Sequence, residues 1–360
     1  MKIGVPKEIK PQEYRVGLVP YGVAELVAHG HELIVEAQAG IGTGYVDDDY
    51  RVAGAMIAPD AAKTYDGADM IVKVKEPQPA EWPHIRDDHT IFAFLHLAAD
   101  PEQAAALQAS GCTAIAFETV TDDDGGLPLL APMSEIAGRL SIQSGAHFLE
   151  AEYGGRGVLL AGVPGVAPGD VVILGGGMAG GNAARMAVGL GSNLTIIDRS
   201  ANALRRLDNF FDSRVTTLSA TKTAIEDAVI NADLVIGAAL VAGARAPVLI
   251  SEELVRAMRP GAVFVDIAID QGGIAETSRP TTLADPVYRF GEVVHYCVAN
   301  MPGAVPRTSA HALTNAILPY ALSLADNGPE SAMSLDANLR AGLNVQAGQI
   351  VHGVVAEALS

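Results

Sequence analysis

Cysteine is scarce in this chain: its 360 residues include only Cys112 and Cys297. The two lie far apart, neither has metal-ligand spacing, and both fall in or beside apolar strand-like runs. A disulfide framework and a metal site built on cysteine are excluded, and two reduced core thiols are predicted. Charge is also sparse, at 18% of residues, and one-sided, with a formal net charge of −18. No block of five like charges occurs, so nucleic acid is not an expected partner. Long apolar runs are missing too. The longest, 234–244, has 11 residues and stops at Arg245, too short to cross a bilayer. The opening MKIGVPKEIK has no apolar signal region. These absences predict a soluble cytoplasmic protein with no membrane partner. Internal repeats and low-complexity segments are absent as well.

Apolar residues are what the chain has in quantity. A hydrophobic fraction of 49% over this length predicts two domains with substantial cores, and points to buried subunit interfaces. Along the first 130 residues, KIGVPKE, HELIVEA, MIVKVKE, TIFAFLHL and TAIAFETV read as strands. GVAELVAHG, DYRVAGA and PEQAAALQASG read as helical segments between them. Such alternation predicts a parallel α/β domain. DDDGGLP breaks the pattern, and one long helix is expected from Ser134, as N-cap, to Tyr153. A second series follows: VVILG, NLTIID, VTTLS, ADLVIGAAL, AVFVDIAID and VVHYCVAN. Its six strands match a complete doubly wound sheet. HALTNAILPYALSLA and QIVHGVVAEAL read as helices without a sheet of their own.

The second series opens on the most specific motif. An apolar strand runs into Gly175, Gly177 and Gly180, then a helical segment, then a strand ending in Asp198, 23 residues after the first glycine. Gly175 permits a tight turn, Gly177 admits a pyrophosphate to backbone N–H groups, and Gly180 lets helix and strand pack closely. The helix N-terminus faces the phosphates with its partial positive charge. Asp198 would accept hydrogen bonds from the adenosine ribose and repel a 2′-phosphate, which favours NAD over NADP.

Ligands of open α/β sheets bind beyond the carboxyl ends of the strands, which directs attention to residues there. His96 is the one polar side chain in IFAFLHLAA; it is either a core residue or a general acid/base. Asp270 ends AVFVDIAID, as a turn initiator or a catalytic carboxylate. Asp266 lies four residues earlier; in a regular strand the two are roughly 13 Å apart, too far for a shared proton. Lys75 follows a strand and Arg15 lies in a polar loop; each reads as a solvated cation or as a grip for a substrate carboxylate. Asn300 and Met301 follow the sixth strand, near the nicotinamide side of the expected site. No metal site is predicted.

Taken together, KIGVPKEIKPQEYRVGLVP, KVKEP, FLHLAADP, LPLLAPMSEIAGRLSIQ, GVLLAGVPGV, VDIAIDQGGIAETSRPTT and HYCVANMPGAVPRTS resemble the bacterial alanine dehydrogenases. That family also includes the soluble NAD(H)-binding subunit of proton-translocating transhydrogenase. The resemblance spans essentially the whole chain. It implies two Rossmann-like domains, with an NAD domain (131–304) inserted into a discontinuous substrate domain (1–130 and 305–360). It implies reversible oxidative deamination of L-alanine to pyruvate and ammonia with NAD, in a cytoplasmic homohexamer. His96 and Asp270 become the acid/base pair, while Arg15, Lys75 and Asn300 become substrate contacts. Ser134 becomes a phosphate contact, with Met178 and Ala179 in the glycine loop. Leu240, Ile267, Arg279, Val298 and Met301 become the cofactor lining. Two positions depart from the pattern. Ala220 stands where relatives often carry a cofactor-contacting serine, and Ala203 where several carry an arginine, leaving Arg199 and Arg205 as nearby cations. A transhydrogenase subunit, another amino-acid or opine-type dehydrogenase, and a non-catalytic NAD module are the competing readings. The four residues Arg15, Lys75, His96 and Asp270 argue against the last.

Overall fold

The structure, a computed structural model, describes residues 1–239 and 246–359. Its strands, in chain order, are β1 (Lys2–Val5), β2 (Glu32–Glu36), β3 (Met56–Ala58), β4 (Met70–Val72), β5 (Thr90–Ala93), β6 (Thr113–Ala116), β7 (Asp170–Leu174) and β8 (Asn193–Asp198). There follow β9 (Thr216–Ser219), β10 (Leu234–Gly237), β11 (Val263–Asp266), β12 (Val287–Phe290), β13 (Val293–Tyr296), β14 (Leu343–Gln346) and β15 (Gln349–Ile350). The chain divides into two compact units. A discontinuous unit comprises 1–133 and 305–360, and a continuous unit comprises 134–304.

In the discontinuous unit, β3-β2-β1-β4-β5-β6 pair in parallel, and β14 and β15 extend the β6 edge antiparallel. Ile3, Val35, Ile71, Ile91, Phe92 and Ile115 are buried, as expected for strands covered on both faces. Each such side chain contributes about 1.5–3 kcal/mol of burial. The β14–β15 hairpin turns through Ala347 and Gly348, both at positive φ (47° and 76°). QIVHGVVAEAL was expected to be wholly helical; instead its first two residues form β15, and the helix spans Gly353–Ala358. Alanine rarely takes positive φ, so the turn signal was hidden.

The continuous unit carries the order β9-β8-β7-β10-β11-β13 in parallel, with β12 antiparallel on the outer edge of β13. Both units therefore share the doubly wound 3-2-1-4-5-6 order and the same switch point between first and fourth strands. The expected six strands are present; β12 is an additional one.

Two local expectations are corrected. The helix predicted from Ser134 spans Ala131–Phe148, so Ser134 lies inside it and is not its N-cap. It stops before Tyr153, which sits in a separate 3-10 turn. AVFVDIAID is not one strand: β11 ends at Asp266, and Ile267–Gln271 form a 3-10 turn. The roughly 13 Å spacing of Asp266 and Asp270, drawn from a regular strand, therefore does not apply. The turn forms because the Asp266 carboxylate accepts from Ala268 N–H at 3.1 Å, and Gly272 (φ 97°) closes it.

Candidate active site

In the discontinuous unit, three site residues follow the carboxyl ends of adjacent strands. Arg15 follows β1, Lys75 follows β4, and His96 follows β5. That is the edge of the sheet, flanking the switch point, where this topology places ligands.

Arg15 is not a surface arginine. It is 2% exposed, and Glu13 grips it along one edge, with Oε1 accepting from Nε at 2.7 Å and Oε2 from Nη2 at 2.6 Å. This bidentate pair sets the plane of the guanidinium before any ligand arrives. Lys75 is partly buried. Burial lowers its pKa from the usual lysine range, and the positive charge of Arg15 lowers it further. The two cations thus share one electrostatic environment. Behind them lies a fully buried network. Lys73 pairs with Glu81 at 2.9 Å and Glu8 at 3.3 Å, while Glu8 also accepts from Val74 N–H at 2.7 Å. Burial opposes the Lys73 charge, but Glu8 and Glu81 outweigh it and keep the ammonium protonated. The segment leading to Lys75 is thereby anchored through its backbone.

His96 is half exposed, not a core residue. It precedes the 3-10 turn Leu97–Ala99 and adopts a left-handed backbone, φ 51° and ψ 36°. Such a conformation is uncommon outside glycine and needs outside support. Glu118, just past β6, supplies it: its carboxylate accepts from His96 N–H at 2.5 Å and from Leu95 N–H at 3.2 Å. Gln103 donates to the Leu95 carbonyl at 3.1 Å, and Phe94 stacks on the imidazole, with planes 3° apart.

The continuous unit holds the nucleotide-type motif. Gly175 has φ 109°, in the region where side chains are strained, and a Cβ there would lie 2.6 Å from the Ala238 carbonyl. A Cβ on Gly180 would overlap the Gly175 carbonyl, whereas no atom of the described residues stands within 4 Å of one on Gly177. The loop is therefore closely packed at two glycines and open at the third. Met178 starts the helix Met178–Leu190, with Ala179 next. Gly138 packs on the Ala179 backbone. Ser134 lies one turn before Gly138 on the same face of the Ala131–Phe148 helix. Asp198 ends β8, and its two oxygens accept from Gly176 N–H and Ser200 N–H, each at 2.6 Å. Arg206 donates to the Gly176 carbonyl at 2.9 Å, a contact not anticipated from sequence. Arg205 bonds Asn202 on the surface. This cradle fits a dinucleotide: an open N–H-lined turn at a helix N-terminus, with a fixed acid at the end of the second strand.

Asp270 is exposed within the Ile267–Gln271 turn, beyond β11. Ile267 is half-buried at the head of that turn. Arg279 lies over the Tyr288 ring, 4.1 Å from its centre, and its N–H donates to the Tyr288 hydroxyl at 3.0 Å. Val298 is buried and bridges Thr281, Asn300 takes φ 65°, and Met301 is buried at the start of a 3-10 turn. Leu240 lies outside the described residues. Cys112 and Cys297 are both free and buried. Among the described residues, no three His, Cys, Asp or Glu side chains group as metal ligands, and no helix is long and apolar enough to cross a membrane.

Residues 4–137 match the N-terminal domain of the alanine dehydrogenase/PNT family, and residues 141–353 match its C-terminal domain. The chain belongs to the alanine dehydrogenase/PNT family. It is 54% identical to an alanine dehydrogenase of Halomonas elongata over 358 residues, covering 99% of this chain and 96% of that one. It is 53% identical to one of Bacillus subtilis over 360 residues, covering 100% and 95%. A solved L-alanine dehydrogenase superposes with a TM-score of 0.97 at 53% identity, covering 99% of both chains. A transhydrogenase from Sinorhizobium meliloti, at 23% identity and TM-score 0.84, shares the fold. The family and its Rossmann-type domain imply a nicotinamide dinucleotide cofactor.

Sequence reading missed the groups that hold the site residues. Glu13 had a weak local signal, standing two residues before Arg15. Glu118 and Gly138 had none, because the residues they support are distant along the chain.

Proposed function

We propose that the protein catalyses the reversible NAD-dependent oxidative deamination of L-alanine to pyruvate and ammonia. The observation that carries this reading is full-length similarity to alanine dehydrogenases, with Arg15, Lys75 and His96 following adjacent strand ends in one unit. The continuous unit serves as the NAD domain and the discontinuous unit as the substrate domain.

Arg15 and Lys75 hold the substrate carboxylate and carbonyl, joined by Asn300. Preorganisation by Glu13 lowers the entropic cost of aligning the substrate. Lys75 releases its proton more readily than an ordinary lysine, which suits a donor facing a reacting carbonyl oxygen. Gly175, Gly177, Met178, Ala179, Gly180, Ser134 and Asp198 hold the dinucleotide, lined by Leu240, Ile267, Arg279, Val298 and Met301. When bound, the nicotinamide would supply the acceptor for the hydride on the alanine Cα. His96 and Asp270 then move the protons: one is taken from the water that adds to the imine carbon, one is given to the nitrogen, and the remaining hydroxyl proton is taken as the C–N bond breaks to leave the carbonyl and ammonia. Asp198 disfavours a 2′-phosphate and so selects NAD.

The protein works in the cytoplasm as a homohexamer. Exposed apolar side chains support association: Val52 is 89% exposed and Leu159 64%, with Val163 and Val166 beside the latter in sequence. Native mass spectrometry tests the assembly. The activity is tested by NADH absorbance when the protein meets L-alanine with NAD or NADP at alkaline pH, with L-serine and glycine as controls. NADH formation from L-alanine and NAD is the expected result. NADH binding without turnover on any amino acid would overturn the reading.

A further inference from the structure

The turn carrying Asp270 is a single short 3-10 segment, Ile267–Gln271, and one buried side chain ties it to the chain on both sides. Asp266, at the end of β11, is fully buried. Its Oδ1 accepts from Ala268 N–H at 3.1 Å. Its Oδ2 accepts from Ile274 N–H at 2.8 Å and from the Ser278 hydroxyl at 2.6 Å. One carboxylate thus ties the first residues of the 267–278 segment to its last, across the bend that displays Asp270. The fit is tight. A Cβ on Gly273 would lie 2.7 Å from Oδ2, and one on Gly237 of the neighbouring β10 would lie 3.0 Å from Oδ1. Within the bend, Gly272 N–H donates to the Ile269 carbonyl at 2.9 Å and Gly273 N–H to the Ala268 carbonyl at 3.1 Å, bonds that close single turns; outside it, Ala246 N–H donates to the Gln271 carbonyl at 2.9 Å and Leu249 N–H to the Ile274 carbonyl at 2.8 Å.

We infer that Asp266 is a positioning residue for Asp270: its buried carboxylate closes the 267–278 segment and thereby fixes where the Asp270 carboxylate stands. This rests on the proton-transfer role given to Asp270 above. Asp266 itself is enclosed by the segment it organises, so it acts through the backbone. Burial raises its pKa, and the bonds from Ser278, Ile274 and Ala268 oppose that rise; a buried acceptor set of this kind is costly to leave half-made. A displacement of about 1 Å at a catalytic group costs up to about 100-fold in rate, so loss of the closure is felt at Asp270.

The test compares Asp266→Ala, Asp266→Asn and Ser278→Ala with wild type and Asp270→Asn. Hydrogen exchange of the 267–278 amides is followed by mass spectrometry, together with kcat for L-alanine and NADH affinity by fluorescence. Exchange in this segment rises in the order Ser278→Ala, Asp266→Asn, Asp266→Ala. The fall in kcat follows the same order, reaching about 10- to 100-fold, and exceeds the loss of NADH affinity, which reads any shift of Ile267 at the head of the segment. Ser278→Ala keeps the comparison available if the Asp266 variants fail to fold. Faster exchange with wild-type kcat would overturn the inference, as would unchanged exchange. If wild type itself gave no turnover with L-alanine, the functional reading would fall instead, while the exchange data would still report whether Asp266 closes the segment.

Discussion

His96 and Asp270 occupy the same topological position in two different units. Each follows the fifth strand of a 3-2-1-4-5-6 sheet, β5 in one and β11 in the other, and each sits in or beside a short 3-10 turn. Each turn is held by a carboxylate accepting backbone N–H groups. The source of that carboxylate differs. For Asp270 it comes from the end of the same strand, Asp266. For His96 it comes from the next strand's end, Glu118, 22 residues away. The backbone differs as well: His96 is itself in the left-handed region, whereas in the other turn Gly272 and Gly273 take the positive φ angles. A doubly wound sheet thus offers equivalent exposed positions beyond its strands, and each unit holds its titratable residue there by a separate device.

The largest effect expected is on the two residues themselves. His96→Ala and Asp270→Asn each lower kcat by about 10²- to 10⁴-fold, with NADH binding by His96→Ala nearly intact. Near-normal turnover in either variant breaks the equivalence. Next comes the His96 support. Glu118→Ala lowers kcat by up to about 100-fold, and Glu118→Gln, which keeps an acceptor oxygen, recovers part of it. If Glu118→Ala were as active as wild type, the left-handed turn would be holding itself.

The first-strand loops extend the comparison. Asp198→Ala raises the Kd for NAD by about 10-fold and narrows the preference against NADP. Titration of both dinucleotides against that variant decides the point. Gly42→Ala acts on the other unit. The glycine is exposed, but a Cβ there would overlap the Tyr14 carbonyl, next to Arg15. KM for L-alanine rises by several-fold, on the order of 1 kcal/mol, and kcat changes less. An equal loss in both parameters would place the effect on the reaction step instead.

The last effect falls on stability alone and leaves the chemistry at neutral pH untouched. His295 is buried on β13, and burial lowers its pKa to about 4. A depressed pKa adds stability above the unfolded value and loses it as pH falls, here between about 6.5 and 4. The loss is on the order of 3 kcal/mol. His295→Gln, which does not titrate, flattens the fall of Tm over that range; a slope like that of wild type would show that carboxylates alone govern acid unfolding.

Much of this was legible along the chain. The dinucleotide fingerprint, the six strands of the continuous unit and the five strands β1, β2, β4, β5 and β6 are local patterns, set by apolar runs, glycine spacing and turn residues. The short strands β3, β12, β14 and β15 were not read. Ala347 disguised one hairpin, and β3 and β12 are only partly buried, so they lack the apolar run that marks the other short strands. Arg15, Lys75, His96 and Asp270 were found as candidates, but their surroundings were not. Asp266 stood in plain view and was weighed only as a second carboxylate near Asp270.

The division has a physical cause. Composition and periodicity determine which segments become buried strands, because burial and backbone pairing depend on side chains a few residues apart. They also determine the glycine turn, because φ is a property of single residues. What only the tertiary structure decided is the state of each polar group: Arg15 sunk against Glu13, His96 strained over Glu118, and Asp266 closed on Ser278. Hydrogen bonds act over about 3 Å in space and at any separation in sequence, so their partners become visible only when the chain has folded.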